Sequence, residues 1–220
     1  TSIGDNAVTF TGADGNEETL DANIVLMSVG RKPVTAGLGL ENINVYCERG
    51  AIVTDERCRT SVPNVWAAGD VNGKIMLAHT ASREVAVAVK DMTGSRSSLV
   101  NYDTIPNVIY THPEVATVGL TLEQAQMRGY DAVESRIPMT FNGRYLAETD
   151  GERGLIKAVA EREYGTVLGL HMFGGECSEM IHAATIVVEN ELRVRDVEDI
   201  VFAHPTVAEL IKDSVVEIML

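Results

Sequence analysis

The sharpest set of side chains able to move a proton is Ala203-His204-Pro205-Thr206-Val207-Ala208-Glu209. A residue before proline is pushed out of helical geometry, and proline suits the first position of a helix. The spacing therefore predicts His204 on an irregular turn, at the mouth of a helix running from about Pro205 towards the C-terminus. Glu209 then lies about one turn into that helix, within reach of the imidazole. A carboxylate on one ring nitrogen fixes the tautomer and leaves the other nitrogen free as base or acid near neutral pH. Spacing alone leaves a second reading open, a histidine that only caps a helix start. Asp70 is the next candidate. It closes Val65-Trp66-Ala67-Ala68-Gly69-Asp70, which reads as a short buried strand, and a carboxylate at the carboxyl end of such a strand is where ligand hydroxyls are commonly held. A plain turn residue fits Asp70 equally well. His79, between Ala78 and Thr80, carries no mark of its own.

Other arrangements fail on spacing. Gly37-Leu38-Gly39-Leu40-Glu41-Asn42 begins like a phosphate loop, but its sixth residue is Asn and no strand directly precedes it. Glu179 and His182 have the i, i+3 relation of di-iron bundles without the second copy or partner glutamates. His112, His171 and His182 share no metal spacing. Cys47, Cys58 and Cys177 are odd in number with no C-x-x-C, so they read as small hydrophobes in a reducing compartment. No metal is expected. Met76 and Met180 read as core fillers.

The elements that must position these residues come from the 220-residue chain as a whole. It is 45% hydrophobic and 23% charged, in the range of ordinary soluble globular proteins and enough for one large or two smaller domains. With 18 Lys plus Arg against 32 Asp plus Glu the formal charge is −14, which disfavours nucleic acid and anionic membranes as partners. No apolar run approaches the roughly 20 residues of a membrane span, and no secretory leader opens the chain, so a cytoplasmic protein is expected. Residues 1–30 read as a hairpin, with strands near 7–10 and 24–29 around Ala13-Asp14-Gly15-Asn16. A lone hairpin needs something to pack on, so the sheet is expected to begin upstream of Thr1. A short strand follows near 51–53. A helix over about 77–92 is expected to turn Ala81, Val85, Ala88 and Val89 inward and to stop at Gly94. The polar link 95–101 reads as a domain boundary. Beyond it lie strands at 108–110 and 114–119, a helix opened by the capping box Thr121-Leu122-Glu123-Gln124, a hairpin of 155–160 and 166–172, a helix over 179–190 with Ile181, Ala184 and Val188 inward, a helical segment beginning at 197–201, and the last helix. Neighbouring strands with helices gathered separately indicate an α+β domain with an antiparallel sheet and flanking helices.

Five motifs then occur in one order: Val29-Gly30-Arg31-Lys32-Pro33; Pro63-Asn64-Val65-Trp66-Ala67-Ala68-Gly69-Asp70-Val71; Met76-Leu77-Ala78-His79; Ile109-Tyr110-Thr111-His112-Pro113-Glu114-Val115-Ala116 with Val118-Gly119; and His204-Pro205-Thr206 with Glu209. Over nearly the whole chain this resembles the C-terminal half of the dihydrolipoamide dehydrogenases, class I pyridine nucleotide-disulfide oxidoreductases. The resemblance implies an incomplete α/β FAD/NAD-binding portion ahead of the α+β interface domain: residues 1–33 the end of the NAD-binding domain, 34–100 a central region returning to the FAD domain, and 101–220 the dimerisation domain. It implies Gly30 near NAD, Asp70 on the ribityl chain of FAD, and Met76, Leu77, Ala78 and His79 lining the flavin through their backbone. His204 becomes the acid/base that takes a proton from the dithiol substrate, oriented by Glu209 and facing the flavin and disulfide of the other subunit of a homodimer. The implied substrate is dihydrolipoamide on the lipoyl-bearing protein of a 2-oxo acid dehydrogenase or glycine cleavage complex.

The chain departs from that family in three ways. The redox-active C-x-x-x-x-C pair and both dinucleotide fingerprints are absent. Phe202 stands where another histidine is common, and Thr206-Val207-Ala208-Glu209 replaces Thr-Leu-Ser-Glu. The expectation is a piece of a flavoenzyme, inactive alone. A glutathione-reductase-type enzyme is the nearest alternative. A mercuric-reductase-type enzyme fits less well, because the chain ends Val216-Glu217-Ile218-Met219-Leu220 without a cysteine pair. A non-catalytic dimerisation module is a further alternative.

Overall fold

The computed structural model describes residues 2–4, 6–95 and 99–218. Residues 96–98 of the expected polar link and the terminal Met219 and Leu220 lie outside the described residues. The chain begins with an antiparallel ribbon of β1 (Ser2–Ile3), β2 (Ala7–Thr11) and β3 (Glu17–Asp21). The expected second hairpin strand at 24–29 does not form. The turn is tight, with Gly12 N–H donating to the Asn16 carbonyl at 2.8 Å and the Asp14 carboxylate accepting the Asn16 N–H at 3.0 Å. Pairing therefore resumes at Glu17, in a run too polar to attract notice. Residues 24–29 are irregular, with Ile24 and Val29 almost fully exposed. A run apolar on both faces becomes a strand where neighbours cover it, and none of the described strands pairs with it.

The short pair β4 (Cys47–Glu48) and β5 (Ala51–Ile52) follows. The expected strand 65–70 reduces to one bridge, Arg59 with Trp66, because no continuous neighbour lies beside it. Asp70 instead opens a 3-10 turn, Asp70–Asn72. Helix α1 (Ala78–Met92) forms as expected, but its inner face is Thr80, Glu84, Val87 and Ala88, and Val85 and Val89 are about half exposed. The apolar count missed this face because a buried carboxylate sits at its centre.

The larger unit is a five-stranded antiparallel sheet in the order β6-β7-β10-β9-β8, from β6 (Asn107–Ile109), β7 (Glu114–Gly119), β8 (Ala132–Pro138), β9 (Leu155–Glu161) and β10 (Val167–Gly174). Alternation along β9 sends Ile156, Ala158 and Ala160 to one core and Val159 to the opposite face. The first face carries α4 (Cys177–Glu189) over β7 and β10, and α6 (Glu209–Val216) over β9 and β8, with α5 (Val194–Asp199) against α6. The second face carries α2 (Leu122–Met127), whose Thr121–Gln124 capping box forms as expected. Ile181, Ala184 and Val188 of α4 are buried as expected.

In this larger unit one strand and one helix have no counterpart among the expected elements. Strand β8 was hidden because Glu134 and Arg136 break its apolar run, although both pair on the sheet, Glu134 also with Lys157. Helix α3 (Gly143–Thr149) is held by a buried Tyr145. The last helix starts four residues later than expected, at Glu209, and the helical segment expected to begin at 197–201 runs instead over Val194–Asp199. Residues 203–206 form a turn held by side chains instead, with Thr206 Oγ1 donating to the Ala203 carbonyl at 2.7 Å.

Candidate active site

The turn before α6 brings together the two residues expected to act as a pair. His204 Nδ1 lies 3.0 and 3.2 Å from the two carboxylate oxygens of Glu209. Glu209 is the first residue of α6, not one turn inside it. Its Oε2 also accepts the Thr206 N–H at 2.9 Å. That N–H first, and the imidazole second, hold the Glu209 carboxyl below the usual carboxylate range. Because a carboxylate only accepts, Nδ1 must carry a hydrogen, which leaves Nε2 as the free nitrogen of neutral His204. The His204 side chain is 81% exposed and Glu209 24%, so the imidazole faces solvent while its carboxylate is shielded. Phe202, two places before His204, packs on the main core.

The second group surrounds the start of α1. Gly69 has φ 82° and ψ −162°, a conformation essentially restricted to glycine, and it delivers the chain into the Asp70–Asn72 turn. The turn is gripped from below by Glu84, whose side chain is wholly buried. Glu84 Oε2 accepts the Gly69 N–H at 2.6 Å, and Oε1 accepts Asn72 Nδ2 at 2.8 Å and the Tyr102 hydroxyl at 2.9 Å. Burial first, then that bond to Glu84, pushes the Tyr102 phenol far above its ordinary range. Asp70 stands exposed at the top of the turn. Met76 and Leu77 are half-buried, and Ala78 and His79 open the helix on the exposed side. The Leu77 cap position provides no side-chain hydrogen bond, and the Thr80 hydroxyl, buried in the first turn, has no partner. His79 Nε2 donates to the Pro106 carbonyl at 2.8 Å, tying α1 to the lead-in of β6. Gly30 lies in the exposed stretch after Val29 with φ 104°, and no hydrogen bond of either group reaches it.

The remaining candidates stay apart. Glu179 and His182 are exposed on α4, and no group of three or more potential metal ligands occurs among the described residues. Burial pushes the Cys58 thiol up to about 11, helped by Glu84, and the Cys177 thiol up to about 12, helped by Glu114, so neither is a ready thiolate. Glu84 went unremarked in the sequence, although a lone glutamate between Ala81 and Ala88 on an otherwise apolar face is the signal that finds it.

Models of two families match the chain in sequence: "pyridine nucleotide-disulphide oxidoreductase" over residues 1–84 and "pyridine nucleotide-disulphide oxidoreductase, dimerisation domain" over residues 105–215. The chain belongs to the pyridine nucleotide-disulphide oxidoreductase family. Among curated relatives of this oxidoreductase chain, dihydrolipoyl dehydrogenase 2, chloroplastic, of Arabidopsis thaliana is 39% identical over 90% of the chain and 36% of its own length. The dihydrolipoyl dehydrogenase of Bacillus subtilis is 38% identical over 94% of the chain and 44% of its own length. In structure, LpdA from Mycobacterium tuberculosis superposes with a TM-score of 0.87 at 26% identity, covering 96% of the chain and 46% of that protein. The HOCl-induced flavoprotein disulfide reductase RclA from Escherichia coli gives 0.82 at 27% identity, covering 97% and 49%. The oxidoreductase chain thus spans less than half the length of each of these relatives.

Proposed function

We infer that this chain is the acid/base and dimer-forming part of an FAD- and NAD-dependent disulfide oxidoreductase that oxidises protein-bound dihydrolipoamide. The observation that carries this is the His204–Glu209 pair, with Nδ1 held at 3.0 Å and Nε2 exposed, in a chain whose curated relatives are named dihydrolipoyl dehydrogenases. Nε2 takes the proton of a substrate thiol as the thiolate attacks a disulfide, and Glu209 stabilises the imidazolium so formed. The exposure of His204 suits work on a centre contributed by a second copy, in the homodimer that a dimerisation domain implies.

The residues around α1 fit a flavin. Asp70 offers an exposed carboxylate to a polyol chain, and Ala78 and His79, led in by Met76 and Leu77, offer the free N–H groups of an uncapped helix start, beside the orphaned Thr80 hydroxyl. When bound, FAD supplies the two-electron relay between the disulfide and a nicotinamide. Gly30 offers only backbone to NAD. The division at 1–33, 34–100 and 101–220 follows from this reading, with Glu84 and Tyr102 bonding the central region to the start of the third part. The partner is a lipoyl-bearing protein. Cytoplasmic placement belongs to the same proposal, and no helix among the described residues is long and apolar enough to cross a membrane. A glutathione-type substrate is the alternative disulfide.

The test joins this chain behind a flavin-binding half that carries the redox cysteines and both dinucleotide loops. The fusion oxidises dihydrolipoamide with NAD, and the 220-residue chain alone does not. Turnover by the chain alone, or preference of the fusion for glutathione over lipoamide, overturns the assignment.

A further inference from the structure

The turn that carries the dyad is held from a distant element. Asn142, 64 residues before Thr206, donates from Nδ2 to the Thr206 carbonyl at 3.0 Å. The same side chain accepts the Tyr145 N–H on Oδ1 at 2.9 Å as the cap of α3. The partners fix the orientation of the amide, because an N–H can face only the oxygen and a carbonyl only the NH2. The backbone of Asn142 is also engaged, its N–H with the Met139 carbonyl at 3.0 Å and its carbonyl with the Leu146 N–H at 3.1 Å. Met139 and Tyr145 on either side are completely buried. The Tyr145 hydroxyl is fitted over Gly154, where an added methyl would lie 2.6 Å from it. Asn142 is therefore a rigid post, while the turn it touches is exposed at His204 and Pro205.

Thr206 receives this post on one side and Glu209 on the other. Its carbonyl accepts from Asn142 and its N–H donates to Glu209 Oε2, the carboxylate that holds His204 Nδ1. Phe202 and Val207 anchor the two ends of this turn on the main core, but Ala203, His204 and Pro205 between them are exposed, the imidazole by 81%, and packing does not fix their orientation. Polar clamps of this kind set such a group in one orientation. We propose that Asn142 is a positioning residue for the acid/base pair, locking the Thr206 peptide so that Glu209 keeps His204 in the Nδ1–H tautomer with Nε2 free. This rests on the reading of His204 as the acid/base.

Two variants of this chain separate the two bonds of Asn142. Asn142→Ser keeps an acceptor for the α3 cap but is too short to reach the Thr206 carbonyl. Asn142→Asp keeps the cap and sets an oxygen against that carbonyl. Nitrogen-15 spectra of the neutral His204 ring report the tautomer, and amide exchange at Tyr145 and Thr206 reports the cap and the turn. The parent shows Nδ1–H. Both variants lose this state towards the tautomer mixture of a free imidazole and lose protection at Thr206, with Tyr145 protection unchanged. Retention of Nδ1–H in both variants overturns the role of Asn142 and leaves the dyad standing. Nε2–H in the parent overturns the dyad reading, and the role of Asn142 with it. Loss of the fold in both variants, despite the kept cap, makes Asn142 a stability residue and equally overturns the proposal.

Discussion

Glu209 and Glu84 are both carboxylates that accept from backbone N–H groups, and their surroundings give them different work. Glu209 is partly open and holds an exposed imidazole, so its bonds orient a group that faces solvent. Glu84 is wholly buried and satisfies three donors, the Gly69 N–H, Asn72 Nδ2 and the Tyr102 hydroxyl. Glu84→Ala leaves those donors stranded and costs about 3 kcal/mol in a denaturant melt of the chain. It also lowers flavin affinity in the fusion, because the Asp70 turn loses its support. His171 supplies a pH signature. Its Nε2–H donates to the Leu120 carbonyl at 3.0 Å, and burial, aided by Lys157 on the neighbouring strand, holds its pKa below 6.5. Between that lowered value and 6.5 the unfolded chain binds the proton more readily, so the contribution of His171 is present above 6.5 and is lost as pH falls through this window. The midpoint of thermal unfolding should fall on acidification through the window, and His171→Gln should flatten that fall. An unchanged slope in the variant assigns the effect to other groups.

At the scale of elements, the sheet depends on a close crossing at the β7–β10 pair. Gly119, with φ 78°, ends β7 where a methyl group would lie 2.7 Å from Gly169 Cα, beside the register shift of β10. Gly119→Ala should destabilise the chain by about 2 kcal/mol in chemical denaturation, without changing α1 or its surroundings. Wild-type stability in this variant would show that the crossing relaxes freely.

The legible elements were those whose signals are local. The α2 capping box is written in Thr121 and Gln124, the α4 core face in Ile181, Ala184 and Val188, and the dyad in the His204-Pro205 turn and Glu209. What stayed hidden depends on partners distant in sequence. Glu134 looks like a surface residue until Lys157 and Arg136 are seen beside it. Val85 and Val89 look like core until Glu84 turns α1 the other way. Ile24 to Val29 looks like a strand although none of the described strands lies beside it. Asn142 reads as a helix cap, and its second bond reaches a loop that no local window contains.

Across the whole molecule, two features face outward. One is the exposed surface around Asp70 and the start of α1, and the other is the turn that presents His204. The central claim, that His204 completes a site on another subunit, is tested most directly by complementation in the fusion enzyme. Subunits carrying His204→Gln are inactive, and so are subunits without the redox cysteine pair. Unfolded together and reassembled, the two give hybrid dimers in which one of the two sites has both an intact cysteine pair and the opposite subunit's His204. The account predicts recovery of dihydrolipoamide oxidation to about a quarter of the unmutated level, because half of random dimers are hybrid and each hybrid has one working site. A mixture of hybrid dimers as inactive as its parents would contradict it, showing that His204 serves only its own subunit or no thiol at all.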